Sequence, residues 1–272
     1  MPELPEVETV RLSLSNHFLK CKIIKIEIFT KKLRYYIPSK LLEFVSKKIV
    51  DISRRGKYLI LQFDFEKSIL IHLGMTGIFK IRNSFDKVKH DHLCFYFKDK
   101  VLVYNDIRKF GFIKVYNQHE LVNSKHLENL GVDPFNKDFN LKYLMNNLKT
   151  KKVNIKSFLM NQKNICGLGN IYCSEILFDC KISPNRNVMN LYNDEIKNLF
   201  NSIKIILKKA IKKGGTSLND YVKPNGKIGY FKNDLKVYGR EKKRCVKCNK
   251  QQLIKKIVQN GRSTFYCSSC QK

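Results

Sequence analysis

The first residues of the chain combine an amine with carboxylates, a pairing that could perform covalent and acid–base chemistry. Met1 precedes Pro2, a residue small enough that the initiator methionine is normally removed. The mature chain would then begin with a secondary amine, and α-amino groups titrate near ~7.7–8.0, so a fraction is nucleophilic at neutral pH. Attack of this amine on a sugar C1′ would form a Schiff base, an intermediate that permits strand cleavage by elimination.

Two carboxylates follow the proline, because Glu3 and Glu6 are three residues apart and share a face of a helix or its first turn. A carboxylate beside the amine could protonate or deprotonate the sugar ring oxygen. A second interpretation is structural, since acidic side chains are favoured at helix N-termini by the helix dipole. The residues alone leave both interpretations open.

Four cysteines near the end of the sequence have the spacing of a metal site. Cys245 and Cys248 form one Cys-x-x-Cys pair, and Cys267 and Cys270 form another after 18 residues. This pattern predicts one structural Zn²⁺ held by four thiolates, since the segment is too short to have its own core. A redox dithiol is the alternative. The remaining cysteines have no such spacing and are interpreted as inert thiols: Cys21, Cys94, Cys166, Cys173 and Cys180.

The charge balance indicates a polyanionic partner. Lys and Arg together number 53 against 23 Asp and Glu, a formal net charge of +30. Such a surplus favours nucleic acids, although an AT-rich genome would also enrich lysine. The zinc segment shares this bias, and its basic residues suit phosphates: Lys247, Lys250, Lys255, Lys256 and Arg262. The sequence lacks both an apolar run of membrane length and a signal peptide, so a cytoplasmic location is expected.

The elements that must position these residues begin with a helix over 5–19, where Val7, Val10 and Leu14 recur at helical spacing. Residues 22–116 read mainly as strands, because apolar and polar residues alternate repeatedly between short polar turns. The fold class predicted is therefore α+β and multidomain, with a β-sandwich or barrel in an N-terminal catalytic domain over 1–116.

The second half of the chain is expected to be helical. A polar linker is placed at 117–132 and a helical domain at 133–240, in which the clearest helix covers 194–213. Within that domain, the glycine-rich segment 216–240 reads as a loop. Residues 241–272 are the predicted zinc finger.

Short motifs along nearly the whole chain resemble those of bacterial formamidopyrimidine-DNA glycosylases (the Fpg, or MutM, family). Each motif is weak alone, but their common order is specific. The matching runs include Met1-Pro-Glu-Leu-Pro-Glu, Arg55-Gly-Lys57, Ile71-His-Leu-Gly-Met75, Asp106-Ile-Arg108-Lys-Phe110, Gly167-Leu-Gly-Asn170, Val237-Tyr-Gly-Arg240 and Arg262-Ser-Thr-Phe-Tyr-Cys267. The resemblance implies an N-terminal β-sandwich, a helix–two-turns–helix domain and a C-terminal zinc finger.

The resemblance also implies roles for the chemical residues. Pro2 would be the Schiff-base nucleophile, Glu3 the proton donor to the deoxyribose and Glu6 a supporting carboxylate. Lys57 would act in β-elimination and contact the lesion or a phosphate, and Arg262 would bind phosphate and assist δ-elimination.

Three further residues resemble the set that fills the gap left by an extruded base: Met75, Arg108 and Phe110. Core packing is the alternative for the two apolar residues. Neighbouring glycines at 74, 77 and 111 favour exposed loop tips instead. The resemblance also implies residues that contact the DNA backbone, namely His90, Lys151, Lys152, Lys156 and Asn170. The loop 216–240 would cover the extruded base.

The sequence therefore predicts a monomeric glycosylase and lyase that removes oxidised purines, including 8-oxoguanine, from double-stranded DNA, without a membrane or an obligate protein partner. One alternative is an endonuclease VIII-like enzyme for oxidised pyrimidines, against which Leu4 argues. Others are a non-enzymatic zinc-ribbon protein that binds DNA or RNA and a glycosylase that has lost cleavage. In one departure from the family's usual motif, Lys109 replaces an arginine; it keeps the charge but loses the bidentate fork, so a weaker phosphate contact is expected there. In a second departure, Cys166 and Cys173 stand where small residues would serve. Neither departure affects a residue with a proposed chemical role.

Overall fold

A computed structural model of the chain describes residues 1–216, 224, 226, 229–248 and 252–272. It contains two compact units. Met1–Asn129 and Ile211–Lys232 form the first unit, and Leu130–Ala210 and Asn233–Lys272 form the second. Among the residues described, no helix is long and apolar enough to span a bilayer.

The first unit begins with helix α1, Leu4–Phe18, one residue earlier than the predicted 5–19. A capping box stops the helix from fraying at its start, because Glu3 and Glu6 exchange side-chain and backbone hydrogen bonds. Pro5 lies in the first turn, where a missing N–H costs nothing. The apolar face of α1 is buried in the unit's core.

Two four-stranded antiparallel sheets follow, which confirms the predicted sandwich rather than a closed barrel. One sheet has the order β1-β6-β7-β5 and the other β2-β3-β4-β8. The strands are β1 Lys25–Ile28, β2 Ile49–Arg55, β3 Tyr58–Phe63, β4 Lys67–His72, β5 Gly77–Arg82, β6 Asp91–Tyr96, β7 Val101–Asp106 and β8 Phe112–Asn117. Apolar side chains from both sheets and from α1 share one buried cluster. The β4–β5 and β7–β8 connections carry the predicted base-gap residues.

The predicted linker 117–132 contains the boundary between the units, which falls after Asn129. Part of it is ordered as helix α2, Gln118–Leu121. The sequence assigned 216–240 to the helical domain, whereas the structure groups 211–232 with the first unit. Hydrogen bonds explain the grouping, since Glu6 accepts from the Thr216 N–H at 2.8 Å. Residues 217–223, 225, 227 and 228 of this loop lie outside the described residues.

The second unit is helical, as predicted, with a hairpin at its end. Its helices are α3 Leu141–Lys149, α4 Ile155–Met160, α5 Asn170–Asp179 and α6 Asn193–Lys212. The last of these confirms the predicted helix at 194–213, and two positive-φ glycines at 214 and 215 follow it. Strands β9, Lys255–Gln259, and β10, Arg262–Tyr266, form the hairpin of the cysteine-containing segment. That segment shares a buried cluster with Phe178 and Val237.

Candidate functional site

Pro2 and two carboxylates lie buried at the N-terminus of the first unit. Glu6 Oε2 accepts the Glu3 backbone N–H at 2.8 Å, and Glu6 Oε1 accepts the Thr216 N–H. Pro2, Glu3 and Glu6 are all buried. Both oxygens of Glu6 are thus engaged with backbone donors, which fits a supporting carboxylate better than a proton shuttle.

Gly215 explains why the chain can approach Glu6 so closely. Its φ is +80°, and a Cβ built there would lie 2.9 Å from Glu6 Oε1. Any side chain would therefore strain the backbone and displace the carboxylate. The double glycine after α6 permits the turn that brings Thr216 to the N-terminus.

Lys57 lies in the β2–β3 turn and is 8% exposed. An ion-pair network fixes this turn to α1, because Arg54 donates to Glu8 Oε2 at 2.8 Å and to the Gly56 carbonyl at 2.9 Å. Arg11 donates to the other oxygen of Glu8 at 2.7 Å. Burial acts to raise the pKa of Glu8, but the two arginines outweigh it and hold the pKa below its usual value. The lysine is thus positioned on a rigid turn.

The structure adds His72, which the sequence analysis did not single out. Its Nδ1 accepts the Gly74 N–H at 3.0 Å, and its ring lies 5.0 Å from that of Tyr58. Burial lowers the pKa of His72 to about 4, and the positive charges of Lys57 and Arg34 act in the same direction. The imidazole is neutral at physiological pH. His72 lies within the run Ile71-His-Leu-Gly-Met75, which resembles a family motif, and that position in the sequence could have identified it as a candidate site residue.

The base-gap residues lie on two adjoining connections. Met75 is 38% and Phe110 44% exposed, so core packing does not explain them. The Arg108 guanidinium lies 4.5 Å from the Phe110 ring centroid. The glycines at 74, 77 and 111 led the sequence analysis to expect Met75 and Phe110 on exposed loops, and both side chains are exposed there, although the glycines themselves are buried. They permit close backbone approach, since a Cβ on Gly74 would lie 2.4 Å from Gly111 N.

His90 precedes β6 in the same unit. Its φ is +70° and its side chain is half-buried. The next residue, Asp91, stabilises this turn, because its carboxylate accepts from the Asn105 side chain at 2.7 Å and from the Val88 N–H at 3.1 Å. A fixed left-handed turn of this kind presents His90 in one orientation.

The second unit contains an open cavity of about 760 Å³ that brings together its predicted contact residues. Lys151, Lys152, Lys156, Asn170 and Arg262 all line it. The exposed members are the two lysines on the α3–α4 connection and the arginine on β10. This polar, basic surface can accommodate phosphates.

Lys156 differs from the other lysines of this cavity because it is only 2% exposed. Its Nζ donates to Thr264 Oγ1 at 2.7 Å and lies 3.4 Å from Ser174 Oγ. Asn170 reinforces the same strand, donating to the Ser263 carbonyl at 2.8 Å. Burial therefore favours a positioning role for Lys156, which fixes the strand that carries Arg262, over the predicted backbone contact.

The four cysteines meet the geometric test for a tetrahedral ion. Their sulfur atoms all lie within 4.8 Å of one another, and those of Cys245 and Cys270 are 3.8 Å apart. A tetrahedral site with metal–sulfur bonds of about 2.3 Å requires sulfur separations of about 3.8 Å. The arrangement can hold one metal ion. Lys250 of this segment lies outside the described residues.

Comparison with known proteins identifies the family. Residues 1–113 match the model of the formamidopyrimidine-DNA glycosylase N-terminal domain, and residues 130–222 match that of the formamidopyrimidine-DNA glycosylase H2TH domain. The formamidopyrimidine-DNA glycosylase of Rickettsia conorii is 43% identical over 274 residues, covering 100% of this chain and 99% of that protein. The enzyme of the same name from Wolbachia pipientis is 42% identical, covering 100% of both chains.

Solved structures agree with this result. A variant of the Lactococcus lactis Fpg bound to Fapy-dG-containing DNA matches with a TM-score of 0.92 and 36% identity, covering 100% of both chains. A complex of that protein with abasic-site DNA matches with a TM-score of 0.90 and 36% identity, covering 99% of both chains. The fold and the sequence matches define a DNA glycosylase. This chain belongs to the formamidopyrimidine-DNA glycosylase family.

Proposed function

We propose that this chain is a bifunctional DNA glycosylase and apurinic/apyrimidinic-site lyase that removes oxidised purines from duplex DNA. Family membership over the full length supports the class of activity. The observation that carries the proposal is the buried N-terminal arrangement of Pro2, Glu3 and Glu6, fixed by the capping box and by Thr216.

The proposed chemistry begins once Met1 has been removed. The Pro2 nitrogen attacks C1′ of the damaged nucleotide, forming an N–C1′ bond as the bond from C1′ to the base breaks. Glu3 donates a proton to the sugar ring oxygen, and the ring opens to a Schiff base. Successive β- and δ-elimination break the 3′ and 5′ C–O bonds and leave a one-nucleotide gap. Lys57 assists the first elimination and Arg262 the second.

Substrate binding is proposed to use the basic cavity of the second unit together with His90 and the base-gap residues of the first unit. His90, Lys151, Lys152 and Asn170 contact the DNA backbone, which orients the duplex without reading its sequence. Met75 and Phe110 fill the gap left by the extruded base, while Arg108 hydrogen-bonds the orphaned cytosine. Excision of 8-oxoguanine opposite adenine would make a mutation permanent. Cytosine is therefore the expected base opposite the lesion. The loop 216–240 is proposed to cover the extruded base.

The four cysteines are proposed to bind one Zn²⁺. The fourfold thiolate set leaves no open coordination position, so the ion supports the hairpin that carries Arg262 and takes no part in the chemistry.

Excision of oxidised pyrimidines is the second candidate. One solved structure of the Lactococcus lactis protein contains DNA with an oxidised pyrimidine. Leu4 and the family matches favour purines as the main substrates.

Borohydride trapping tests the proposal. Untagged protein is incubated with a duplex containing 8-oxoguanine opposite cytosine, in parallel with a matched form that retains a residue before Pro2. A covalent adduct and a nicked strand are expected only with the free proline. Binding without adduct or cleavage by either form would refute the enzymatic proposal. An adduct confined to oxidised-pyrimidine DNA would transfer the assignment to the second candidate.

A further inference from the structure

A fully buried carboxylate lies between the connections that carry the base-gap residues. Asp106 is the last residue of β7 and pairs with Gly77, the first residue of β5. No part of the proposed chemistry uses it. A buried charge of this kind persists only if several donors satisfy it.

The donors come from both connections. Asp106 Oδ1 accepts from the Thr76 hydroxyl and lies 3.3 Å from the Arg108 N–H. Oδ2 accepts the Gly111 N–H at 2.8 Å and the Tyr104 hydroxyl at 3.3 Å. The Arg108 N–H also donates to Thr76 Oγ1 at 3.0 Å, so the Thr76 hydroxyl links the two connections directly.

The backbone of Asp106 extends these contacts to the His90 turn. Its N–H donates to the His90 carbonyl at 3.1 Å, and its own carbonyl accepts from His92 Nε2 at 2.9 Å. One residue therefore touches three segments that carry proposed DNA contacts.

Glycines allow this convergence. A Cβ on Gly111 would lie 1.8 Å from the Tyr104 hydroxyl oxygen, and one on Gly77 would lie 2.5 Å from the same atom. A Cβ on Gly74 would overlap the backbone of Phe110. The two connections are therefore packed closely around the carboxylate, with direct backbone contact between Gly74 and the Phe110–Gly111 peptide.

We infer that Asp106 is a positioning residue that sets the spacing of Met75 relative to Arg108 and Phe110, acting through the Thr76 hydroxyl. The inference rests on the proposed function of those three side chains. A gap in a base stack accepts a wedge only in a narrow range of positions. Losing the link between the connections therefore slows insertion and weakens selection of the opposite base.

The experiment compares Thr76→Val, which removes the linking hydroxyl at constant shape, with Thr76→Ser, which keeps it. Tyr104→Phe is the matched control, because it removes a hydroxyl from the same carboxylate without breaking the link between the connections. Three quantities are measured: excision of 8-oxoguanine opposite cytosine and opposite adenine, fluorescence of a 2-aminopurine beside the lesion, and cleavage of single-stranded abasic DNA, which has no stack to refill.

For Thr76→Val we expect excision opposite cytosine to fall by about tenfold, with a reduced cytosine-to-adenine ratio and a slower fluorescence change. Single-stranded cleavage should stay near the wild-type rate, and Thr76→Ser and Tyr104→Phe should retain wild-type discrimination. Unchanged discrimination and fluorescence in Thr76→Val would overturn the inference, as would an equal loss in single-stranded cleavage. Wild-type protein that excises nothing would instead refute the proposed function on which the inference rests.

Discussion

Buried carboxylates position the backbone of this protein at the residue scale. Glu6 accepts two backbone N–H groups, and Asp106 accepts from side-chain and backbone donors of two connections. In the second unit, Glu175 accepts the N–H groups of three consecutive residues, Lys236–Tyr238. Burial raises the pKa of Glu175 even though these donors act to lower it. Each carboxylate satisfies donors that the secondary structure leaves unpaired.

His72 predicts a specific pH dependence of stability. Its folded pKa of about 4 lies below the ordinary 6.5, so the unfolded chain binds the proton first as the pH falls. Stability is then lost between these two values, by up to about 2 kcal/mol at pH 5. The variant His72→Asn keeps an acceptor for the Gly74 N–H but does not titrate.

Guanidinium unfolding of both proteins at pH 7.5 and pH 5 measures this effect. The wild-type protein should lose more stability on acidification than His72→Asn, whatever the difference between them at pH 7.5. Equal losses would show that the imidazole is protonated as readily in the folded state as in the unfolded state.

At the scale of elements, the close contact between the β4–β5 and β7–β8 connections depends on Gly74. Its φ is +64°, and a Cβ would overlap Gly111 N. We expect Gly74→Ala to destabilise the protein by about 3 kcal/mol or more, from backbone strain and overpacking together. Gly239→Ala is the control, since its φ is +69° and nothing lies within 4 Å of the added methyl.

Chemical unfolding of the two variants separates strain from packing. The control should lose only about 1–2 kcal/mol, the cost of the left-handed backbone alone. A Gly74→Ala variant no less stable than Gly239→Ala would mean that the connections separate at little cost, contrary to the packing described.

A second prediction at this scale distinguishes the lysines of the second-unit cavity. Lys156→Met should destabilise the unit by about 1–3 kcal/mol, because Thr264 loses a charged donor. It should leave the salt dependence of DNA binding unchanged. Lys151→Met should leave stability unchanged and reduce the slope of log K against log salt by about 1. A reduced slope for Lys156→Met would support the original prediction of a phosphate contact.

At the scale of the whole molecule, the net charge of +30 supplies a long-range attraction to DNA that no single contact explains. The proposed nucleophile and base-gap residues belong to the first unit, whereas Arg262 and the cysteines belong to the second. We therefore expect activity to depend on the folding of both units, including the small segment that cannot form a core unaided.

Metal removal tests this dependence. We expect one zinc ion per chain by elemental analysis, and Cys248→Ser should lose it, melt at a lower temperature and bind lesion-containing DNA weakly. Cys21→Ser changes a cysteine outside the cluster and should behave as wild type. Stoichiometric binding of DNA by metal-free wild-type protein would contradict a supporting role for the ion.

The sequence by itself determined the features that depend on local pattern. Helical spacing identified α1 and α6 to within one residue, because periodic apolar positions need only one face to be buried. Alternation identified the strand-rich region 22–116, and the paired cysteines predicted a metal site whose four sulfur atoms do lie close together. The ordered motifs identified the family, and the roles that they imply for Pro2, Glu3 and Lys57 stay predictions.

Only the tertiary structure decided contacts between residues remote in sequence. It paired Glu6 with Thr216 across 210 positions and enclosed Asp106 between two connections. It also buried Lys156, whose sequence context is a basic run typical of a solvated face, and lowered the pKa of His72. Residue type gives the possible donors and acceptors, but burial and distance decide which are used, and both arise only when the sheets and helices pack.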